Sequence, residues 1–397
     1  MSEKIKAIVL GCNYYIGLSI IRCLGREGIY VVGCDHDEEK AYALKSKYVK
    51  DVLIIKNLFQ NNKKAVQELV NYAKNEKKKP VLIPSHDKYV EFIDEYYDIL
   101  SKYFLISQKK NLNSELADKI KLYEKCDKYH IKYPEIIYVS DKRLLEKLSK
   151  WPHKGFPCIL KPVDTVEFAK EFKRKTFKCS NEKELREKIK VCKEKNIEVF
   201  VQRIIPGFDD HMVTFDAFIS KEGKLVSWMT AQKERQWPIN FGASVFTKQK
   251  YIENVRKTGE EIFKALKYQG FGEIEFKIDE ESKELYLIEI NVRVTNFNNL
   301  IYKTGINMPY LIYKDLTSKI TKEDEKGIDY DTNRAFVSLR EDIASIIAYK
   351  KAKQVGIMKS LSKYFCRLAP SVFALYDLKP WHIHNILYWK RKLKIKR

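Results

Sequence analysis

In the segment LYLIEINVRV, residues 285–294, Glu289, Asn291 and Arg293 recur at every second position among aliphatic neighbours. In a β-strand that spacing aims all three at one face. A carboxylate, an amide and a guanidinium are costly to bury together unless each finds a partner. The preceding segment GEIEFKI, residues 272–278, puts Glu273, Glu275 and Lys277 on one face and Ile274, Phe276 and Ile278 on the other. The acidic turn 279–284 between them predicts an antiparallel hairpin that brings Glu275 near Glu289 and Asn291. Two carboxylates and an amide carbonyl are hard oxygen ligands, suited to Mg²⁺ that arrives with phosphate. Arg293 can hold a phosphate oxygen. The competing reading is a hairpin whose charged face is simply solvated.

Other segments carry isolated polar groups with a direction. CILKP, residues 158–162, reads as a buried strand with Lys161 near its end, a point charge aimed at something. EVFVQRII, residues 198–205, is an apolar strand whose backbone can pair with a base edge, and Asp209, Asp210 or His211 just after it can reach a ribose hydroxyl. In AQKERQWPINFGASV, Lys233, Arg235 and Ser244 can hold an acidic substrate; the alternative is surface charge in a loop. Near the N-terminus, VLGCNYYIGLSIIRCLGREG has the strand–turn–helix character of a dinucleotide site, with Asp35 after the next strand. The GxGxxG spacing is missing, and Tyr14 and Tyr15 stand where a pyrophosphate needs bare backbone. Loops at the carboxyl ends of such strands still hold small ligands. Asn13, Asp35, Ser85, His86 and Asp87 are therefore candidates for substrate contact, with a satisfied structural histidine the competing reading of His86.

The elements that must position these groups fall into three stretches. Strands at 6–10, 30–34, 52–55 and 81–84 alternate with helices at 16–26 and 63–75, which predicts an α/β domain with a parallel sheet over residues 1–107. Residues 108–330 read as a second, two-lobed unit. It holds a helix at 116–129, a small lobe over about 130–200, strands at 211–220 and 224–231, a helix at 252–266 and the acidic hairpin. Within the small lobe, Asn181 and Glu184 are spaced to cap a helix at 183–195. Residues 331–397 read as an appended, mostly helical, basic and aromatic extension.

The chain has 397 residues, 45% of them hydrophobic and 32% charged, an ordinary folded composition with room for several cores. Its formal charge of +22 favours anionic partners, although most of it reads as solvated lysine. Eight scattered cysteines without a CxxC pair fit buried thiols in a reducing compartment better than a disulfide framework or a zinc site. With no signal-peptide run and no membrane-spanning run, the protein is expected in the cytoplasm.

Taken in order, these parts resemble the ATP-grasp superfamily over residues 1–320, with IEINVRV the most specific motif. The resemblance implies a Rossmann-like pre-ATP-grasp domain followed by two lobes that close on ATP. By that resemblance Lys119 and Lys161 contact ATP, and Gln202, Arg203, Ile204 and Ile205 form the adenine hinge. Glu275, Glu289 and Asn291 bind Mg²⁺, two ions in all, which Mn²⁺ can replace, and Arg293 meets the transferred phosphate. KPVDTVEFAKEFKRKTF, VLIPSHDKYVE and GINMPYLIYKDLT look like carboxylate–amine ligases of the D-aspartate ligase type. One departure is that 164–175 contains no glycine, so a phosphate-covering loop there must work through Thr165, Lys170, Lys173 and Arg174.

The implied chemistry is amide formation from a carboxylate, such as aspartate, and an amine, through an acyl phosphate, in cell-envelope or peptide-like synthesis. Two other classes remain open: an NAD(P)-dependent oxidoreductase, from the N-terminal turn, and a non-enzymatic basic binder of membrane or nucleic acid, from the charge. Neither accounts for the acidic hairpin, and no nucleic-acid partner is expected. The tail WHIHNILYWKRKLKIKR interleaves aromatic and basic residues. It can meet the inner membrane surface or a lipid-linked acceptor, or it can be a packed helix with a frayed basic end.

Overall fold

The computed structural model describes residues 5–163 and 165–395. The N-terminal sheet consists of β1 (Ala7–Leu10), β2 (Val31–Asp35), β3 (Val49–Ile54) and β4 (Val81–Pro84), all parallel, in the order β3-β2-β1-β4. β1, β2 and β4 are buried throughout, because helices cover both faces of a parallel sheet and demand apolar side chains on each. Ala7 and Val9 pack with Ile16 and Ile20 of the helix Tyr15–Arg26, whereas Ile8 and Leu10 pack with Leu69 and Ile93 on the other side.

The glycine turn after β1 is filled by the protein itself. A Cβ on Gly17 falls 2.0 Å from the Gly11 carbonyl oxygen, and one on Gly11, at φ +92, falls 2.4 Å from Ser85 Oγ. Ser85 Oγ donates to that same Gly11 carbonyl at 2.8 Å. The Asp35 carboxylate accepts from the backbone N–H of Cys12, His36 and Asp37. Both residues, expected to meet a small ligand, are spent on backbone.

The second sheet is small and antiparallel: β5 (Ile136–Tyr138), β6 (Cys158–Pro162), β7 (Phe177–Cys179) and β8 (Val199–Arg203), in the order β5-β8-β6-β7. The Asn181 side chain accepts from Glu184 N–H as the N-cap of the helix Glu182–Glu194, while the Glu184 carboxylate accepts from Ser180 N–H, one residue before the cap, so only the first half of the expected box forms. Two expectations change here. Most of the segment 164–175 is a helix, Thr165–Phe172, because Phe168 and Phe172 share one face and meet Phe177 edge-to-face. Asp164 and the Thr165 side chain lie outside the described residues. The helix expected at 116–129 is two helices, Leu112–Ala117 and Lys119–Lys128, divided where Asp118 accepts from Ile120 N–H and Lys121 N–H as the cap of the second.

The third sheet comprises β9 (Met212–Ile219), β10 (Leu225–Trp237), β11 (Ala243–Gln249), β12 (Gly270–Ile278), β13 (Leu285–Asn291), β14 (Lys326–Gly327), β15 (Arg334–Val337) and β16 (Arg367–Pro370). Its order is β13-β12-β9-β10-β11-β15-β16, with β14 beside β10. β10 continues past its expected end at Ala231, and the expected loop around Ser244 is β11. The segment beyond 331 has its helices, Leu339–Lys351, Ile357–Ser362 and Lys379–Ile395, but it is not merely appended. β15 pairs antiparallel with β11, and β16 pairs parallel with β15. Among the described residues no helix is long and apolar enough to cross a membrane.

The far end of this segment is locked to the N-terminal domain. Arg22 Nε donates to Asp377 Oδ2 at 2.9 Å, its two other nitrogens reach the carbonyls of Val372 and Asp377, and Ser46 Oγ also donates to Asp377. Both charged side chains are nearly solvent-free. Removing one member of a buried pair strands the other charge. Arg22→Ala is therefore expected to cost about 3–5 kcal/mol of stability in urea unfolding; a loss under ~1 kcal/mol, the range of exposed pairs, would refute the anchor.

Candidate active site

The acidic hairpin forms as its alternation predicts. Glu275 stands opposite Glu289 and Glu273 opposite Asn291, with an irregularity between Glu275 and Phe276. The neighbouring strand β9 sets Thr214 beside Glu275 and Asp216 beside Glu273. β10 contributes Lys233, whose Nζ lies 2.5 Å from Glu275 Oε2. Asn291 Nδ2 donates to Glu273 Oε2 and Glu275 Oε1, each at 3.1 Å, and its Oδ1 accepts from Arg293 at 3.2 Å. One face of four strands thus carries Asp216, Glu273, Glu275 and Glu289 around a single buried ammonium.

These charges perturb one another. Burial pushes the Glu275 carboxyl up to about 7; Lys233 opposes the shift, and Glu289 and Glu273 add to it. Burial likewise raises Glu273 and raises Asp216 strongly. Burial also acts against the Glu289 carboxylate, but Lys233, Lys175, Lys161 and Lys119 outweigh it and lower its pKa. Burial lowers Lys161, against the pull of Glu289 and Glu275. Lys233 goes up, because Glu275 and Glu273 overcome its burial.

The group most able to use this arrangement is a hard divalent cation. Glu273 Oε1 and Asp216 Oδ1 are buried without a hydrogen-bond partner, and Glu275 and Glu289 both line the cleft above them. Among the described residues no three His, Cys, Asp or Glu side chains already converge on one point. A cation held here therefore completes its shell with oxygens that a ligand brings. The residues present fit Mg²⁺ on those terms.

The cleft itself, about 980 Å³ including its open mouth, lies between the small and large sheets. From the small-sheet side it is lined by Lys161, Lys175, Thr176 and the hinge Gln202–Ile205; Lys119 stands at the start of its helix. From the large-sheet side come Met212, Glu275, Lys277, Ile288 and Glu289. Gln202 donates to the Tyr123 hydroxyl, and Arg203 pairs with Glu135. Lysines from one lobe thus face carboxylates from the other across an apolar-walled slot, a geometry for a polyanion carrying a cation.

Several expected contacts lie elsewhere. Asp209, Asp210 and His211 do not line this cleft: Asp209 accepts from Asn240 N–H and the Tyr349 hydroxyl, and His211 pairs with Asp210. Arg235 is buried away from it, with Nη2 on Asp342 Oδ2 at 2.8 Å and its plane over Phe246. The register explains this. Lys233 stands opposite Thr247 but Arg235 opposite Phe246, so a bulge at Glu234 turns Arg235 to the other face. Ser244 is buried and bonded to Thr247 Oγ1.

β13 ends at Asn291, so Arg293 follows the strand rather than continuing it. There Arg293 Nε lies 2.8 Å from Asp87 Oδ1, at the junction with the N-terminal domain. Its charge also reaches Tyr14 and His86, and burial, more than that charge, lowers the His86 pKa. Asn13 adjoins Tyr14 on the loop leaving β1.

Sequence reasoning missed Asp216, Lys175 and the pairing role of Lys233. A visible signal existed for Asp216, a carboxylate in the otherwise apolar MVTFDAFI.

Residues 226–314 match the model of the carbamoyl-phosphate synthase L chain, ATP-binding domain, family. A curated relative, D-aspartate ligase of Enterococcus faecium (strain Aus0004), is 27% identical over 248 residues, 60% of this chain. The match spans 59% of that relative's length. Among solved structures, the biotin carboxylase domain of Hydrogenobacter thermophilus 2-oxoglutarate carboxylase, complexed with MgADP, ADP and bicarbonate, superimposes with a TM-score of 0.64 at 15% identity, over 84% of this chain and 74% of that one. L-amino acid ligase from Bacillus licheniformis gives a TM-score of 0.61 at 15% identity, over 81% and 77%.

Lys233→Met tests the charge balance. Folded Glu275 keeps its proton up to about 7, against 4.5 for an unperturbed glutamate. The folded state therefore binds more protons across that window, and stability falls as pH rises through it. Without Lys233 the window extends upward, so the variant is expected to lose about 3–5 kcal/mol at about pH 8 and distinctly less at about pH 5.5. Urea unfolding at both pH values measures this; equal losses would exclude the ion pair as the cause.

Proposed function

The chain belongs to the ATP-grasp superfamily, and on that premise we propose that it is an ADP-forming ligase joining a carboxylate to an amine. The observation that carries this reading is Lys161 and Lys175 facing Glu275 and Glu289 across the cleft. That slot suits a triphosphate that arrives with its magnesium. The alternative based on NAD(P) loses its support, because Gly11 closes on Gly17 and Asp35 is bonded to backbone. A purely basic binder leaves four carboxylates around Lys233 without a reason.

In the proposed reaction the hinge Gln202–Ile205 receives the base. Lys119, Lys161 and Lys175 hold phosphate oxygens from the small-lobe side. Glu275, Glu289 and Asn291 hold magnesium, which supplies charge neutralisation on the phosphates. The Asn291 amide must turn for this, because its Nδ2 now faces the two carboxylates.

A substrate carboxylate is a poor electrophile, so it first takes the γ-phosphoryl group. Arg293, between Asn291 and Asp87, steadies the oxygens in transit. An amine then attacks the acyl carbon and phosphate leaves, forming the amide. Closure of the small lobe keeps water from the acyl phosphate. The carboxylate substrate enters the crevice by Asn13, His86 and Arg293. An acidic amino acid such as aspartate is the first candidate, from the likeness to D-aspartate ligase. The acceptor amine belongs to cell-envelope or peptide-like synthesis.

Mg-ATP is expected to raise the thermal midpoint where NAD(P) does not. ADP release should then depend on one amino acid in a screened panel, with the adduct visible by mass. Glu289→Gln is expected to keep the fold and lower ADP formation by about 10²–10³-fold, the range for losing a transition-state charge contact. Undiminished turnover in that variant would remove Glu289 from the machinery.

A further inference from the structure

We propose that the face built by residues 339–393 seats on the surface of an anionic lipid bilayer. Fourteen of the twenty-five exposed large apolar side chains among the described residues fall in this stretch. The helix Leu339–Lys351 is inverted relative to an ordinary surface helix. It turns Asp342, Ser345, Ile346 and Tyr349 inward and leaves Leu339, Ile343 and Ile347, one stripe at four-residue steps, about half exposed. On the next turn of chain, Met358 is 80% and Phe365 85% exposed, values unusual for such side chains in a protein that covers them itself. The helix Lys379–Ile395 adds a stripe of Ile386, Trp389 and Leu393. Arg340 of the helix Leu339–Lys351 reaches it, bonding Asn385 and lying over the Tyr388 ring.

Charge selects the occupant. Residues 339–397 hold fourteen Lys and Arg against three Asp and Glu, a net +11 and half of the chain's +22. Two of those acids are hidden: Asp342 is paired with Arg235 and Asp377 with Arg22. The third, Glu341, is half-buried and accepts from the Ser338 hydroxyl. Outwardly the stretch therefore combines exposed apolar side chains with almost purely cationic charge, which matches acyl chains beneath anionic headgroups. The same strand, β10, sends Lys233 to the carboxylate cluster and Arg235 to the inner side of this face. A seated protein thus holds its cleft one strand away from the membrane-facing helix.

The inference does not rest on the ligase reading, because vesicle binding is read without ATP. The full-length chain is sedimented with vesicles of phosphatidylcholine alone and with vesicles carrying a third phosphatidylglycerol, at low and raised salt. Binding to the anionic vesicles that weakens with salt is expected. Replacing Lys390 and Lys392 with Gln is expected to lower the partition coefficient on the order of fivefold for each charge removed. Ile343→Glu with Ile347→Glu should abolish binding, and unchanged circular dichroism and cooperative melting exclude unfolding as the cause. Equal sedimentation with and without anionic lipid overturns the proposal. So does a stable dimer in light scattering that leaves vesicles unbound, which would assign the face to a second copy.

Discussion

Lys233 is the ammonium that β10 places among Asp216, Glu273, Glu275 and Glu289, and the architecture of the site follows from that placement. Without it, Glu275 and its neighbours would be buried at a Coulombic cost that only protonation could relieve. With it, the strands β9, β10, β12 and β13 hold the four carboxyl groups in register, the buried Asp216 and Glu273 still pushed toward their neutral forms, while Glu275 and Glu289 face the cleft. The small lobe answers with Lys161 and Lys175. The two lobes are complementary in charge but separated by the width of the slot, so the space between them favours a ligand carrying both signs.

The same strand organises the opposite side of the sheet. A bulge at Glu234 lets Lys233 and Arg235, two residues apart, point in opposite directions. Arg235 then satisfies Asp342, and Asp342 also accepts from the Tyr364 hydroxyl. This is why the C-terminal segment cannot be treated as a tail hung on a finished domain. It supplies the counter-ion for a buried guanidinium in β10, adds β15 and β16 to the sheet edge, and reaches back to Arg22 of the N-terminal domain. Ion pairs of this kind are weak evidence for stability, but each specifies one arrangement of the segments that share it.

The N-terminal domain has a different relation to the site. Its glycine turn is closed by contact between Gly11 and Gly17, so it does not present the open backbone that a pyrophosphate needs. The domain instead offers the carboxyl ends of β1 and β4. Asp87 fixes Arg293 there, and Arg293 in turn orients Asn291. A chain of three side chains thus connects the domain that can hold a small substrate to the strand pair that can hold a cation.

Local spacing was enough to read the acidic hairpin, since alternation alone puts Glu275, Glu289 and Asn291 on one face and a short turn fixes their register. The Asn181 cap and the lysine of β6 were legible for the same reason, each depending on neighbours within a few residues, and the parallel sheet from the alternation of strand and helix patterns. What local spacing could not reveal was which charges would meet across strands remote in sequence. Lys233 and Arg235 read alike as basic groups able to hold an acidic substrate, and only the bulge in β10 sends them to opposite faces. Asp209 looked free to reach a ribose until Tyr349, far along the chain, donated to it. The sequence by itself determined the chemistry available on each strand. Tertiary structure decided which of those groups cancel in pairs and which remain uncompensated in the cleft, because burial makes an unpaired charge costly and only long-range packing supplies the partner.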